Sequence, residues 1–303
     1  MRCERLGPKE SPRFRQMTFP AYRPLLDLQP AVLHADEGVD RKTQPIAVGA
    51  FLGGEPLGLA LAGIPMGIHD DPELLSVFVN PASRQQGIAN LLLSEIETAV
   101  RDEGFRRLVA VYMTGRPGAV IMEHLFEKHH WAPPETRMIT VKFTVREAMT
   151  TPWYRKYSVR SNLEIFPWRE LTEEDRSWLQ ESQRDSGWIA EDLVPWNYDQ
   201  RGFEPFSSVG ARLDGKVVGW VINHRVGGDI VRFTCSYIRP DLKQRGRIVP
   251  LYSESIRRLS ETPYERCSLT VPMHHRPMVA FVKRHCASWV SFVGETRGTE
   301  KEL

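Results

Sequence analysis

The chain contains the same pattern twice at the spacing of a whole domain. VNPASRQQG, Val79–Gly87, and IRPDLKQRG, Ile238–Gly246, both read apolar, any, Pro, two residues, a base, Gln, any, Gly, with Pro81 and Pro240 159 residues apart. Upstream, VGAFLGGEPLG (Val48–Gly58) matches VGARLDGKVVG (Val209–Gly219) at an offset of 161. Downstream, MTGRP (Met113–Pro117) matches MHHRP (Met273–Pro277) at 160. Three matches in one order at nearly one spacing indicate an internal duplication. A period near 160 is too long for a solenoid unit and is the size of a domain. A length of 303 residues accommodates two copies. The expected division is a solvated tail over 1–15, a first domain over 16–150, a linker over 151–161 where TTPWYRKYS breaks periodicity, and a second domain over 162–303.

Each copy predicts the same element order. Apolar runs flank Gly53-Gly54 and, in the second copy, Asp214-Gly215, which are hairpin signals. Leu74–Val79 and Val231–Ile238 read as short strands that end in the proline-bearing turn. Ala89, Leu92, Leu93, Ile96 and Val100 then fall on one helical face, and Ile248, Leu251, Tyr252 and Leu259 keep the same phase. A strand follows (Arg107–Tyr112, with Cys267–Val271 as its counterpart). After it come a helix through MEHLFEKHHW and a strand over Arg137–Val145. Hairpin, strand, turn, helix, strand, helix, strand is a mixed α/β arrangement: a mostly antiparallel sheet flanked by helices.

The turn has a chemical use. It joins a strand end to a helix start, where backbone amides lack intrahelical partners and the helix dipole is positive, which suits phosphate. Gly87 permits the bend and close approach to the backbone, Ala89 keeps the first helical turn small, and Arg84 adds a cation. Val79-x-Pro81-x-x-Arg84-x-x-Gly87-x-Ala89 resembles the pyrophosphate-binding signature of the GNAT acetyltransferase superfamily. With the element order, the resemblance extends to the whole chain beyond its N-terminal tail, as two tandem GNAT-like domains. It implies acetyl-CoA as co-substrate. The phosphates would lie on Arg84, Gln85, Gln86, Gly87, Ile88 and Ala89. Pantetheine would lie along the backbones of Phe78 and Val79, beside a bulged and splayed strand.

The second copy departs from the signature. Lys243 stands at the Arg position, Arg247 and Ile248 follow Gly246, and Pro250 removes an amide from the first helical turn. Lys243, Arg245 and Arg247 keep the charge, but a branched Ile248 where backbone should meet phosphate is a steric obstacle. The cofactor is therefore expected in the first domain, with the second degenerate.

The implied reaction is acetyl transfer to a primary amine by direct attack, which needs a base and a donor to the oxygen that gains charge. The resemblance supplies the donor as a backbone N–H near Phe78 or Val79. Glu73 is the expected base, and Asp70 and Asp71 are alternatives. Members of the family place an acidic Tyr in the last helix, within a segment like LYEKLGF. Here LFEKHHW puts Phe126 there, and FVKRHCA in the second copy also lacks it. That absence keeps a second function class open, a non-catalytic tandem GNAT-like protein that binds or senses CoA. TFPAYRPLL, Thr18–Leu26, lies where such proteins have their first helix, so Tyr22 and Arg23 are candidates for acceptor contacts.

Other features imply less. No metal is expected: His129-His130 and His274-His275 are adjacent pairs that rarely face one ion, with no companion cluster in the sequence. His274 and His275 read mainly as an exposed loop near a strand end, with proton transfer as the functional alternative. Trp188, Trp196, Tyr198, Phe203 and Phe206 read as packing beneath a long loop, with a substrate pocket lined by Trp188, Trp196 and Tyr198 as the alternative. A net charge of +2 and a pI of about 8.3 give no argument for nucleic acid. PLGLALAGIPMGI is too short and broken to span a bilayer. The N-terminus lacks the apolar run of a signal peptide, and the scattered Cys3, Cys235, Cys267 and Cys286 suit reduced thiols in a cytoplasmic protein. Two like domains in one chain predict a monomer with pseudo-dimeric pairing.

Overall fold

The computed structural model describes residues 1–34, 40–66, 71–116, 118–157, 163–198, 202–243 and 246–303. These form two compact units: Met1–Arg137 with Glu295–Leu303, and Met138–Gly294.

In the first unit the strands are β1 (Arg2–Arg5), β2 (Ala31–His34), β3 (Asp40–Leu52), β4 (Glu55–Pro65), β5 (Glu73–Val79) and β6 (Arg107–Met113). Helix α1 (Ile88–Asp102) joins β5 to β6, and α2 (Gly118–Lys128) follows β6. The sheet runs β1-β3-β4-β5-β6, with β2 beside β3; among the described residues only β5 and β6 are parallel. Helix α1 forms because its apolar residues recur at helical spacing. Ile88, Leu92, Leu93, Ile96 and Val100 are buried against Ile46, Val48, Ala60 and Ala62 of the sheet. Each such side chain contributes about 1.5–3 kcal/mol relative to exposure.

The second unit begins within β7 (Glu135–Thr144), which is followed by α3 (Val145–Thr150) and α4 (Pro152–Tyr157). Next come β8 (Glu164–Pro167), α5 (Glu173–Ser186), β9 (Val209–Leu213), β10 (Lys216–Gly227) and β11 (Ile230–Ile238). Then follow α6 (Pro240–Lys243), α7 (Val249–Leu259), β12 (Arg266–Pro272), α8 (Arg276–His285) and β13 (Phe292–Glu302). Its sheet runs β7-β12-β11-β10-β9-β8, again with one parallel pair, β11 and β12. The fold is thus α/β, two tandem GNAT-like units with mostly antiparallel sheets flanked by helices.

The units differ from the sequence halves at their last strands. β7, from the first half, pairs antiparallel with β12 from Met138↔Pro272 to Thr144↔Arg266. β13, from the second half, pairs antiparallel with β6 from Thr296↔Met113 to Glu302↔Arg107. The copies have exchanged closing strands. Alternation fixes which face a strand buries, not which copy it joins. The first unit holds β13 through buried Glu97 of α1, which accepts from Lys301 Nζ at 2.6 Å and Trp131 Nε1 at 2.8 Å.

Two expected boundaries need correction. Residues 1–15 are not a solvated tail: β1 pairs with β3, and Leu6 and Phe14 are buried. The reason lies in the repeat. A Cβ added at Gly49 would meet Leu6 Cδ2 and the Phe14 ring at 2.6 Å, and one at Gly210 would meet the Phe166 ring at 2.5 Å. The repeated glycine leaves room for an aromatic ring in each unit. The stretch 151–161 is not simply a linker. Thr144 and Glu147 form a capping box that starts α3. Val145, Ala148, Trp153 and Tyr154 of α3 and α4 then join the core that holds Leu251, Ile256 and Leu259 of α7. Residues 158–161 lie outside the described residues.

Candidate functional site

The site is built where β5 leaves β6. On its β4 side, β5 is paired from Gly63↔Glu73 to Gly58↔Val79, with Leu75 as an extra residue where the register shifts. This β-bulge bends the strand. On its β6 side, among the described residues, the ladder is one pair, Glu73↔Val109. Beyond it the strands part, and Ser76, Val77, Phe78 and Val79 stay half-buried. Phe78 and Val79 therefore sit on the open edge that the sequence assigned them.

The chain then turns. Asn80 N donates to Leu57 O at 2.8 Å, and Pro81–Ser83 make one 3₁₀ turn. Arg84 is exposed, and its Nε donates to Val79 O at 3.1 Å, so the side chain folds back over the strand end. Gln85 and Gly87 take left-handed φ values of 62° and 77°. Gly87 caps α1, and its carbonyl accepts from Asn90 N and Leu91 N. Among the described residues, no group accepts a hydrogen bond from the amides of Gln85, Gln86, Gly87, Ile88 or Ala89. Five successive donors at a helix start make an anion cradle. A Cβ added at Gly87 meets nothing within 4 Å, so this backbone is open to a bulky ligand. These features fit the pyrophosphate and pantetheine of acetyl-CoA.

The catalytic candidates separate. Glu73 is half-buried, has interaction partners, and stands at the last paired residue, where the gap opens. Asp71 is held by Arg107 at 2.6 Å. The hydrogen bond that Arg107 donates to Asp71 raises the Arg107 pKa. Asp70 lies outside the described residues. Phe126 is 1% exposed and packs on Trp131 and Tyr112, at ring separations of 4.6 and 5.9 Å.

Tyr112 was missed by the sequence reading. It stands on β6 three residues beyond the parting, and its hydroxyl donates to Glu123 Oε1 at 2.8 Å. Burial first, then the Glu123 bond, push the phenol above its ordinary range. Arg297 of β13 also donates to Glu123, at 2.8 Å. Nothing local marked Tyr112, because in sequence it is one more apolar member of a strand.

Thr18–Leu26 does approach β5: Thr18 Oγ1 and Ser76 Oγ are 2.9 Å apart. The segment Pro20–Asp27 is a 3₁₀ rather than an α-helix, since Pro20 and Pro24 remove backbone donors. Tyr22 is half-buried beside Phe19, at a ring separation of 5.9 Å. Arg23 donates to Gln16 Oε1 at 3.1 Å, and its buried Nε has no partner among the described residues.

The second unit repeats the scaffold. Thr234 of β11 is its extra residue, and the β11–β12 ladder stops at Phe233↔Leu269. Gly246 keeps φ 62°. Helix α7, however, starts at Val249, three residues after its glycine, whereas α1 starts one residue after Gly87. Val249 N and Leu251 N bond to Gly246 O and Ile248 O, and Val249 and Pro250 are buried. Arg247 has a partner; Gln244, Arg245 and the Lys243 side chain lie outside the described residues. The four cysteines are free, and burial pushes the Cys235, Cys267 and Cys286 thiols up to about 12. No reactive thiolate is offered there.

With this geometry in hand, similarity becomes informative. Residues 12–131 match the family described as Acetyltransferase (GNAT) family. The segment thus belongs to the GNAT family, and the whole chain has the tandem GNAT fold. A tandem GNAT protein from the clavulanic acid biosynthesis pathway superposes with TM-score 0.56 at 11% identity, over 99% of this chain and 98% of that one. A GCN5-related N-acetyltransferase from Sphaerobacter thermophilus gives TM-score 0.56 at 14% identity, over 99% and 95%. The glucosamine N-acetyltransferase region of a fungal multi-domain β-N-acetylglucosaminidase gives 0.58 at 12%, over 98% of this chain and 38% of that one. No curated protein matches significantly. Among the described residues, no helix is long and apolar enough to cross a membrane.

Proposed function

We propose that the protein is an acyl-CoA-dependent N-acyltransferase that binds acetyl-CoA in its first unit and acetylates a primary amine. The observation that carries this reading is the row of five unpartnered amides from Gln85 to Ala89, placed at the mouth of the β5–β6 gap. Bound there, acetyl-CoA would supply an activated acetyl group to the amine. In this reading the amides, with Arg84, hold the phosphates, and the backbones of Phe78 and Val79 orient the rest. An N–H at Phe78 or Val79 donates to the oxygen that gains charge. Glu73, at the base of the gap, takes the amine proton. Tyr112 donates to the departing sulfur in place of the hydroxyl that Phe126 lacks. Tyr22 and Arg23 contact the acceptor. The second unit serves as scaffold, and the protein acts as a monomer.

Phe126 favours one competing reading, a protein that binds CoA without turnover. Calorimetry with acetyl-CoA and a free-thiol assay over an amine panel separate the two. One site per chain and thiol release only with an amine support the acyltransferase. Binding without release supports the competitor, and no binding sinks both. Tyr112→Phe should lower kcat while leaving acetyl-CoA affinity unchanged. A concentration-dependent sedimentation coefficient would refute the monomer.

A further inference from the structure

We propose that the second unit carries a binding site for one divalent transition-metal ion of the zinc class, formed by Asp192, His274 and His275. One ligand atom from each residue lies within 4.8 Å of the other two, the one such group among the described residues. His274 Nε2 is 3.0 Å and His275 Nε2 2.6 Å from the same oxygen, Asp192 Oδ2. Adjacent histidines on a strand would point to opposite faces. These two have left β12: His275 N donates to Pro272 O, Arg276 N donates to His274 O, and His275 caps α8. The bend puts both imidazoles on one side, with ring centroids 4.2 Å apart. This reverses the sequence argument against a shared ion.

The donor set is two imidazole nitrogens and one carboxylate oxygen, which suits zinc. Ligands about 2.0–2.1 Å from a tetrahedral ion are about 3.3 Å apart. The two imidazole-to-carboxylate distances, 3.0 and 2.6 Å, lie within about 0.7 Å of that spacing. His274 and Asp192 are 67% and 46% exposed, which leaves solvent access for water in the remaining position.

The donors are also held in place before any ion arrives. Ile189, near Asp192, is bracketed by the Gln183 side chain, which donates to its carbonyl at 2.9 Å and accepts from its N–H at 2.8 Å. Cys235 Sγ of β11 donates to Leu193 O at 3.4 Å, and Tyr237 of β11 donates to Trp188 O. Asp192 therefore rides on a segment fixed to β11, while His274 and His275 extend β12. An ion between them would tie the segment to β12 across the place where β11 and β12 part. The site would supply a cross-link, with no role in acetyl transfer required.

The test uses untagged full-length protein stripped with a chelator. Zn²⁺ is titrated by calorimetry, and Co²⁺ by visible absorption, whose d–d bands report imidazole coordination. The expected result is one ion per chain at micromolar affinity or tighter, with a higher Tm. Asp192→Asn and His275→Ala should each weaken it by about 10–100-fold, and His274→Ala with His275→Ala should abolish it. Folding of each variant is checked by its unfolding transition without metal. Absence of binding to the parent protein, or unchanged affinity in the folded double variant, overturns the proposal. Either failure leaves the acyltransferase reading untouched, because the cofactor loop belongs to the first unit.

Discussion

The two units hold the same bulge and the same parting of strands, yet they treat the opening differently. In the first, five successive amides have no acceptor among the described residues, and α1 begins one residue after its glycine. In the second, α7 begins later, its first turn is buried, and the segment around Asp192 bridges the strands. Gly87 and Gly246 share a left-handed backbone. Turn geometry alone therefore does not make an anion site. What differs is the third and fourth residues after the glycine: Asn90 and Leu91 stay at the surface, whereas Val249 and Pro250 are buried and Pro250 has no amide. Duplication preserved the sheet, and divergence acted on a few residues after the turn.

The comparison can be broken most severely at the exchanged strand. Removing Glu295–Leu303 takes away the strand beside β6 and the lysine that pairs with Glu97. We expect loss of the first unit's unfolding transition and of acetyl-CoA binding, with the second unit still folded. Hydrogen exchange resolved by peptide would show this; protection retained over α1 would contradict it.

Next in size is the pair Gly87→Val and Gly246→Val. Both force a branched residue into a left-handed conformation, at about 1–2 kcal/mol or more. Only the first should weaken acetyl-CoA binding, by about a hundredfold, or ~2.7 kcal/mol. Equal losses in calorimetry would mean that the second turn also holds cofactor.

A smaller effect is expected from Lys301→Met. It leaves Glu97, 5% exposed, without its cation and should cost about 3 kcal/mol. Denaturant titration should show the loss in the first unit's transition; a change confined to the second would refute the pairing.

The smallest effect concerns pH. Burial, the largest influence, lowers the His129 pKa, against the opposing charge of Glu97. The unfolded chain then binds more protons just below the ordinary value of 6.5. By linkage, the first unit loses stability as pH falls through 6.5 toward the depressed folded value. Tm measured from pH 7.5 to 5.5 should fall less steeply in His129→Gln. An identical slope would remove His129 from the account.

Much of this was legible in the sequence because it is local. Alternation around Gly53-Gly54, helical spacing from Ala89 to Val100, and the composition of the Val79–Ala89 turn each depend on neighbours along the chain. They gave the element order and the turn proposed to hold the cofactor. What was not legible depends on distant partners. β7 has the same strand pattern whichever copy it joins, so the exchange left no local mark. Leu6 and Phe14 looked like parts of a charged tail until the space above Gly49 was seen. Asp192 stands 82 residues from His274, and no spacing rule connects them. Tyr112 lay hidden in an apolar strand because only the fold brings Glu123 to its hydroxyl.

The exchanged strand also imposes an order in time. A ribosome delivers β7 before β12, so the second unit's sheet can be completed once residue 294 has emerged. The first unit's helices and five other sheet strands are made much earlier, but β6 must wait for β13, which follows the second unit along the chain. Throughout translation of the second unit, the older half carries an unpaired edge at β6, a surface open to mispairing. The first unit, made before the second, is expected to mature after it, so a chain terminated between them would carry the Val79–Ala89 turn without the strand that completes its sheet.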